Sequence, residues 1–326
     1  MILRTLLTAA AAVACFGTAV AEEAWTRLMY NDGSHDDVIM LDYKRGTIWY
    51  KLKPNDLNVT KVGPSKIQSF YFYVPKSYKE AYGLYNARNY AEAKKKFAAI
   101  ERQWKKIDTA PNNFASLAGF YKLECSRRMM DLDALTNEQA AFRKEGLTRE
   151  NQIQQLEVNK FWEAVRLKDW SRLDRLAKDW TKKKVTGSQR AQIAYCHGLA
   201  LENLAKENPR LLTSALNAYN MAMTADFSAS TELVVAAASN SLRIYANDPE
   251  IKLAMKLWGT DDEDANGGGH QRLLEANKLV KLYKLAGLDK VTPLKAEFRA
   301  FEKYEDKSED ITPPAAQPKK EKKKDK

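Results

Sequence analysis

The chain has 326 residues, 44% hydrophobic and 29% charged, and 53 lysines and arginines against 42 acids give a net charge of +11. Its lysines are interleaved with acids rather than gathered into one stripe, which argues against a nucleic-acid binder. Beyond the N-terminal segment no apolar run approaches the ~20 residues of a membrane-spanning helix.

The chain opens with "MILRTLLTAAAAVACFGTAVA", an early Arg4, an apolar run from Leu6 to Phe16, and the small-x-small pattern Ala19-Val20-Ala21 before Glu22. That layout is a secretory signal peptide over residues 1–21, and it implies an exported, periplasmic or envelope-associated protein. Cys15 offers an alternative, a lipoprotein whose mature chain begins at that cysteine. The leucine expected before it is missing, and the apolar run continues past it.

Residues 22–74 carry five short runs, "WTRLMY", "VIMLDY", "TIWYKL", "NVTKV" and "KIQSFYFYV", separated by segments rich in Gly, Asn and Pro. β-branched and aromatic residues at this spacing predict a small barrel or curled antiparallel sheet. Asp32-Gly33 fits a tight hairpin turn. In "SFYFYV" Phe70 and Phe72 point one way and Tyr71 and Tyr73 the other, so the strand is expected to be covered on both faces, by the helices that follow. A ligand groove lined by Tyr71 and Tyr73 is the other reading. The segment resembles an SH3-like or Sm-like barrel, by pattern alone.

From Pro75 the apolar spacing becomes helical and stays so to about residue 310. Helices are expected near 75–87, 89–107, 112–131, 136–145, 149–167, 169–184, 188–206, 208–224, 228–246, 249–259, 270–286 and 292–305. Thr136 and Gln139 suggest a capping box, Asp248-Pro249-Glu250 a helix start, and Gly287 a helix end. In the second helices of successive pairs Tyr90, Ala93 and Phe97 stand at 0, +3 and +7. Trp170, Leu173 and Ala177 repeat the spacing, and so do Leu212, Ala215 and Tyr219. A small residue lets paired helices approach, and a large one a turn later fills the gap to the next pair.

With that spacing the chain resembles the tetratricopeptide repeat (TPR), best in "GLYNARNYAEAKKKFAAI". The resemblance implies a mainly α fold, a helical-hairpin solenoid preceded by the β module. Tyr85, Tyr90 and Phe97 are then core residues, and "KKK" at 94–96 a solvated face. Spacing of 80 and then 42 residues between the three units implies one unrecognised hairpin at 112–145. The terminal proline of the repeat is absent from all three.

Residues 311–326, "ITPPAAQPKKEKKKDK", lack the apolar side chains that could offset the entropy of ordering, and predict a disordered Lys-rich tail. Such a tail can settle on an anionic surface. Cys125 and Cys196 fit two buried thiols as well as one disulfide.

Catalytic signatures are missing. His35, His197 and His270 are scattered, and no nucleophile elbow, zinc helix, phosphate loop or dinucleotide fingerprint occurs. Asp262-x-Asp264-x-Asn266-Gly267 matches half of a calcium loop, but Leu273 stands where the bidentate acid belongs, so the segment reads as an acidic connector with no metal. The sequence therefore points to a non-enzymatic binding or scaffold protein of the bacterial envelope, with no cofactor, gripping an envelope protein or peptide. First-helix residues Tyr78, Tyr82, Arg88, Lys160, Glu163 and Arg166 are the candidate groove lining. The alternative is an envelope-surface binder that holds anionic glycan or lipid through the β module and basic tail. An enzyme with a carboxylate pair assembled in space is a third class, for which the sequence supplies no pair.

Overall fold

The structure, a computed structural model, describes residues 22–227 and 231–305. The signal-peptide reading, Cys15 and the tail at 311–326 lie outside the described residues. Among the described residues are five strands and thirteen α-helices, and none of the helices is long and apolar enough to cross a membrane. The chain divides into two compact units, Met1–Ile153 and Gln154–Lys326.

Unit 1 begins with strands β1 (Trp25–Tyr30), β2 (His35–Lys44), β3 (Thr47–Lys51), β4 (Thr60–Val62) and β5 (Ile67–Phe72). They form one antiparallel sheet in the order β4-β3-β2-β1-β5. The strand runs in the sequence thus mark real strands, but the sheet does not close into a barrel. β4 has only three residues and pairs with β3, whereas β5 returns to β1, so the two stand at opposite edges. The β2–β3 turn is a two-residue loop, Arg45-Gly46, with φ of 50° and 81°. Both central residues are left-handed, which matches the twist of the strands it joins and suits glycine at the second position.

Four helices follow: α1 (Lys76–Asn86), α2 (Tyr90–Gln103), α3 (Phe114–Arg128) and α4 (Leu132–Ala141). Leu28, Met40 and Ile48 from the sheet share one core with Ala81, Ala93, Phe97 and Trp104 from the helices. The change from strand to helix at Val74–Pro75 therefore lies inside a single packed unit. Phe70 and Phe72 pack against this core, while Tyr71 and Tyr73 are exposed, so the edge strand is covered on one face only. That corrects the expectation of cover on both faces. Tyr73 finds its partners on the surface: its hydroxyl donates to Asp37, 2.9 Å away, and Arg27 lies over its ring.

Helix α1 has no capping side chain of its own. Glu22 supplies one from 54 residues upstream, its carboxylate accepting from the backbone N–H groups of Lys76 (2.6 Å) and Ser77 (3.0 Å). Burial works against the charge, but these donors and the Ser77 hydroxyl outweigh it and hold the Glu22 carboxyl below its usual range.

Unit 2 is helical: α5 (Glu150–Leu167, its first turn preceding the division), α6 (Trp170–Trp180), α7 (Gly187–Leu204), α8 (Leu211–Ala225), α9 (Thr231–Asn247), α10 (Pro249–Leu257), α11 (Gly267–Leu285), α12 (Leu288–Val291) and α13 (Ala296–Arg299). Successive helices pack on one another, with α7 against α8 and α8 against α9. At the first of these contacts a Cβ on Gly198 would sit 2.5 Å from the Tyr219 ring, so only glycine lets α7 and α8 approach this closely. The segment expected as one helix at 292–305 is instead short turns broken around Pro293, after the left-handed Gly287 ends α11.

Three helix pairs are closed by one turn. Arg88, Met130 and Lys168 are left-handed, with φ of 61°, 57° and 54°. Each is followed by an Asx residue, Asn89, Asp131 or Asp169, whose side chain caps the next helix. The backbone N–H of that residue returns to the carbonyl five positions earlier, Leu84, Ser126 and Ala164 respectively, at 2.9 to 3.0 Å. One residue pair thus ends one helix in a Schellman-like bond and starts the next. Arg88 to Met130 is 42 positions and Met130 to Lys168 is 38, which locates the hairpin missing from the sequence spacing. The capping box proposed at Thr136 is not there: α4 starts four residues earlier behind Asp131, and Thr136 donates within the helix to the Leu132 carbonyl. A true capping box occurs at Thr186 and Gln189.

Between α5 and α7 lies a buried amide cluster. Gln155 and Gln192 exchange hydrogen bonds of 2.9 and 3.1 Å, Gln155 also donates to Asn159, and the Trp162 indole donates to Gln192 at 3.0 Å. In such a site each group left without its partner bears a full desolvation cost.

Urea unfolding is expected to separate the two cap readings. Asp131→Ala should cost about 1 kcal/mol by loss of the cap, and Thr136→Ala clearly less. Gln192→Leu, which strands Trp162 and Gln155, should cost about 2 kcal/mol.

Candidate functional site

Helices α8, α9 and α11 enclose an apolar groove of about 540 Å³ in unit 2. Its floor is Val234, Ala238 and Tyr245 of α9, spaced so that they share one face of that helix. Met223 and Phe227 stand on one wall and Leu279 and Leu282 on the other. Phe227, Leu282 and Leu285 are 46%, 60% and 85% exposed. An accessible apolar patch of this kind marks an interaction site more often than a scatter of single exposed residues does.

The two phenols at the groove are already engaged. Tyr245 donates to the Glu275 carboxylate at 3.1 Å, and Tyr283 donates to the Thr292 carbonyl at 2.8 Å. Burial, reinforced for Tyr245 by Glu275, pushes both phenols above their ordinary range, so they stay protonated donors. The groove can therefore desolvate apolar side chains.

The residues named from the sequence are distributed as follows. Tyr78 is buried in the unit 1 core, 4.7 Å from Phe114 and 5.8 Å from Phe97 between ring centroids. Tyr82 is 38% exposed and stacks on Tyr78. Arg88 sits in the left-handed turn between α1 and α2. Lys160, Glu163 and Arg166 follow one another along α5, where Lys160 pairs with Glu157 at 2.5 Å and Glu163 faces Arg172 at 3.7 Å. Of the six, Tyr78 and Tyr82 are brought into contact, inside a tyrosine cluster completed by Tyr85 and Tyr121. Sequence reasoning missed Tyr121 and the whole α8–α9–α11 groove. Its signal was "KLVKLYKLAGL", Lys278 to Leu288, which carries more aliphatic residues than one buried stripe can use.

The remaining candidates have structural roles. Asn266 of the acidic connector caps α11 and donates to the Glu250 carbonyl, so its side chain is committed, and Gly267 begins the helix. Among the described residues no group of three or more His, Cys, Asp or Glu could hold a metal ion. His197 lies 3.0 Å from Asp174, and His270 stacks on Trp258. Cys125 and Cys196 are free and buried. Burial, with Glu124 adding to it, pushes the Cys125 thiol up to about 12.

Compared with protein-family models, curated proteins and solved structures, the chain matches none. The class is therefore defined by its own features: a helical chain behind an open antiparallel sheet, with a preformed apolar groove.

A thiol reagent at mildly alkaline pH is expected to label neither Cys125 nor Cys196 in the folded protein and both of these after unfolding. Rapid labelling of the native chain would contradict the burial described above.

Proposed function

We propose that the protein is a non-enzymatic binding or scaffold protein of the bacterial cell envelope that grips an apolar segment of a partner protein. The observation that carries this reading is the α8–α9–α11 groove, with Phe227, Leu282 and Leu285 accessible at its edges. A partner helix presenting aliphatic side chains on one face fits such a groove, with contacts repeating every three to four residues. The TPR-like solenoid belongs to the same reading. It is supported by the helix pairs closed with one repeated turn and by Ala93, Phe97, Ala215 and Tyr219, all fully buried. Export is supported by the N-terminal pattern of the sequence.

A photo-crosslinking residue in place of Leu285, in protein expressed with its leader, is expected to yield one discrete adduct in the envelope fraction. Leu282→Glu in the same background should abolish that adduct without lowering the thermal midpoint. No adduct, or one undiminished by Leu282→Glu, would overturn the groove reading.

A further inference from the structure

Unit 1 carries a second concave site of different chemistry. A cleft of about 800 Å³ lies between the β2–β3 turn and the segment that follows α2, and five cations line it: Lys44, Arg45, Lys105, Lys106 and Arg143. The acids lining it are Asp42 and Asp108, a surplus of three positive charges. Lys44 pairs with Asp42 at 2.9 Å, and Arg143 lies 3.7 Å from Asp108. Among the described residues the side chains of Arg45, Lys105 and Lys106 enter no hydrogen bond or close ion pair, and Lys105 has only a longer-range attraction to the Asp108 carboxylate.

The cleft is built on rigid parts. Arg45 projects from the two-residue turn held by the Lys44–Thr47 pair. The Thr109 hydroxyl donates to the Tyr43 carbonyl at 3.3 Å and ties the end of β2 to the segment before α3. The Asp108 carbonyl accepts from Asn113 at 2.9 Å and Ser116 at 2.6 Å, which fixes the backbone beneath its carboxyl. A second hollow of about 350 Å³ shares Lys105, Asp108 and Arg143 with it and adds Glu101, Arg102 and Ser116.

Three cations without a close counter-charge, converging from two segments on a fixed frame, repel one another across the cleft. A single carboxylate answers one of them. A phosphate group brings close to two charges and several acceptor oxygens, and the guanidinium fork of Arg45 suits it. We propose that this cleft binds a phosphate-bearing anion through Arg45, Lys105, Lys106 and Arg143, with Asp108 as the group that limits its affinity. The cleft is much larger than one phosphate, so the phosphate is carried on a larger molecule, either a soluble organic phosphate or a membrane lipid headgroup. The site rests on residues separate from the apolar groove, and its failure would leave that reading untouched.

The test is calorimetric titration of the full chain with inorganic pyrophosphate at low ionic strength. Saturable binding is expected. Lys106→Glu should weaken it about tenfold, while Lys95→Glu, the same charge change on an exposed lysine outside the cleft, should alter it less than about twofold. Arg45→Asn, which keeps a residue tolerant of the left-handed turn, should also weaken it. Asp108→Asn should tighten it. Competition by phosphatidylglycerol vesicles, absent with neutral vesicles, supports the proposal and assigns a membrane-borne phosphate; pyrophosphate binding without such competition supports it and assigns a soluble one. No saturable binding, or equal losses in Lys106→Glu and Lys95→Glu, would overturn the proposal.

Discussion

A left-handed residue followed by an Asx cap fixes how the first three helix pairs are set. At Arg88-Asn89, Met130-Asp131 and Lys168-Asp169 the same two positions end one helix and start the next. A non-glycine residue in that conformation costs of order 1 kcal/mol, set here against two satisfied helix ends. Because the turn has no spare residue, it also fixes the rotation of the second helix against the first. That rotation decides which side chains reach the core, here Ala93 and Phe97 on α2, Leu135 on α4, and Leu173 and Ala177 on α6.

This dependence explains which parts of the fold were legible in the sequence. Strand and helix identity follow from periods of two and 3.6, which are local, and the runs from Trp25 to Val74 and the helices from Pro75 to Leu285 follow them. In the hairpin at 112–145 the start of the second helix was misplaced because Thr136 and Gln139 imitate a capping box one turn inside α4. The governing signal was Asp131, whose significance depends on the backbone angle of Met130. Closure of the sheet was not legible either, since it depends on whether β4 reaches β5, a relation between distant residues. Burial of the candidate groove residues on the first helix depends on distant residues too: Tyr78 and Tyr82 are both aromatic and helical, yet one is buried and one half-exposed, a distinction set by Phe97 and Phe114 in other helices.

The two units offer opposite kinds of surface, and the physics of each predicts a different use. The unit 2 groove is apolar, with its phenols committed to Glu275 and Thr292. Binding there draws on the area removed from water and is insensitive to salt. The unit 1 cleft is charged, so binding there depends on ionic strength and gains most in association rate.

Rigidity is what makes either surface useful. A groove that must order itself on binding forfeits part of the contact energy to lost side-chain entropy, about 0.5–1.5 kcal/mol for each immobilised side chain. In unit 2 the walls are fixed beforehand: Tyr245 and Tyr283 are anchored by their hydroxyls, and the Asn277 amide donates to the Phe301 carbonyl at 2.9 Å, holding α11 to the chain that follows it. The exposed leucines of α11 thus stand on a helix braced from behind. The groove-facing residues Leu282 and Leu285 need little further ordering, and their exposure persists because the bracing contacts use other faces of the same helix.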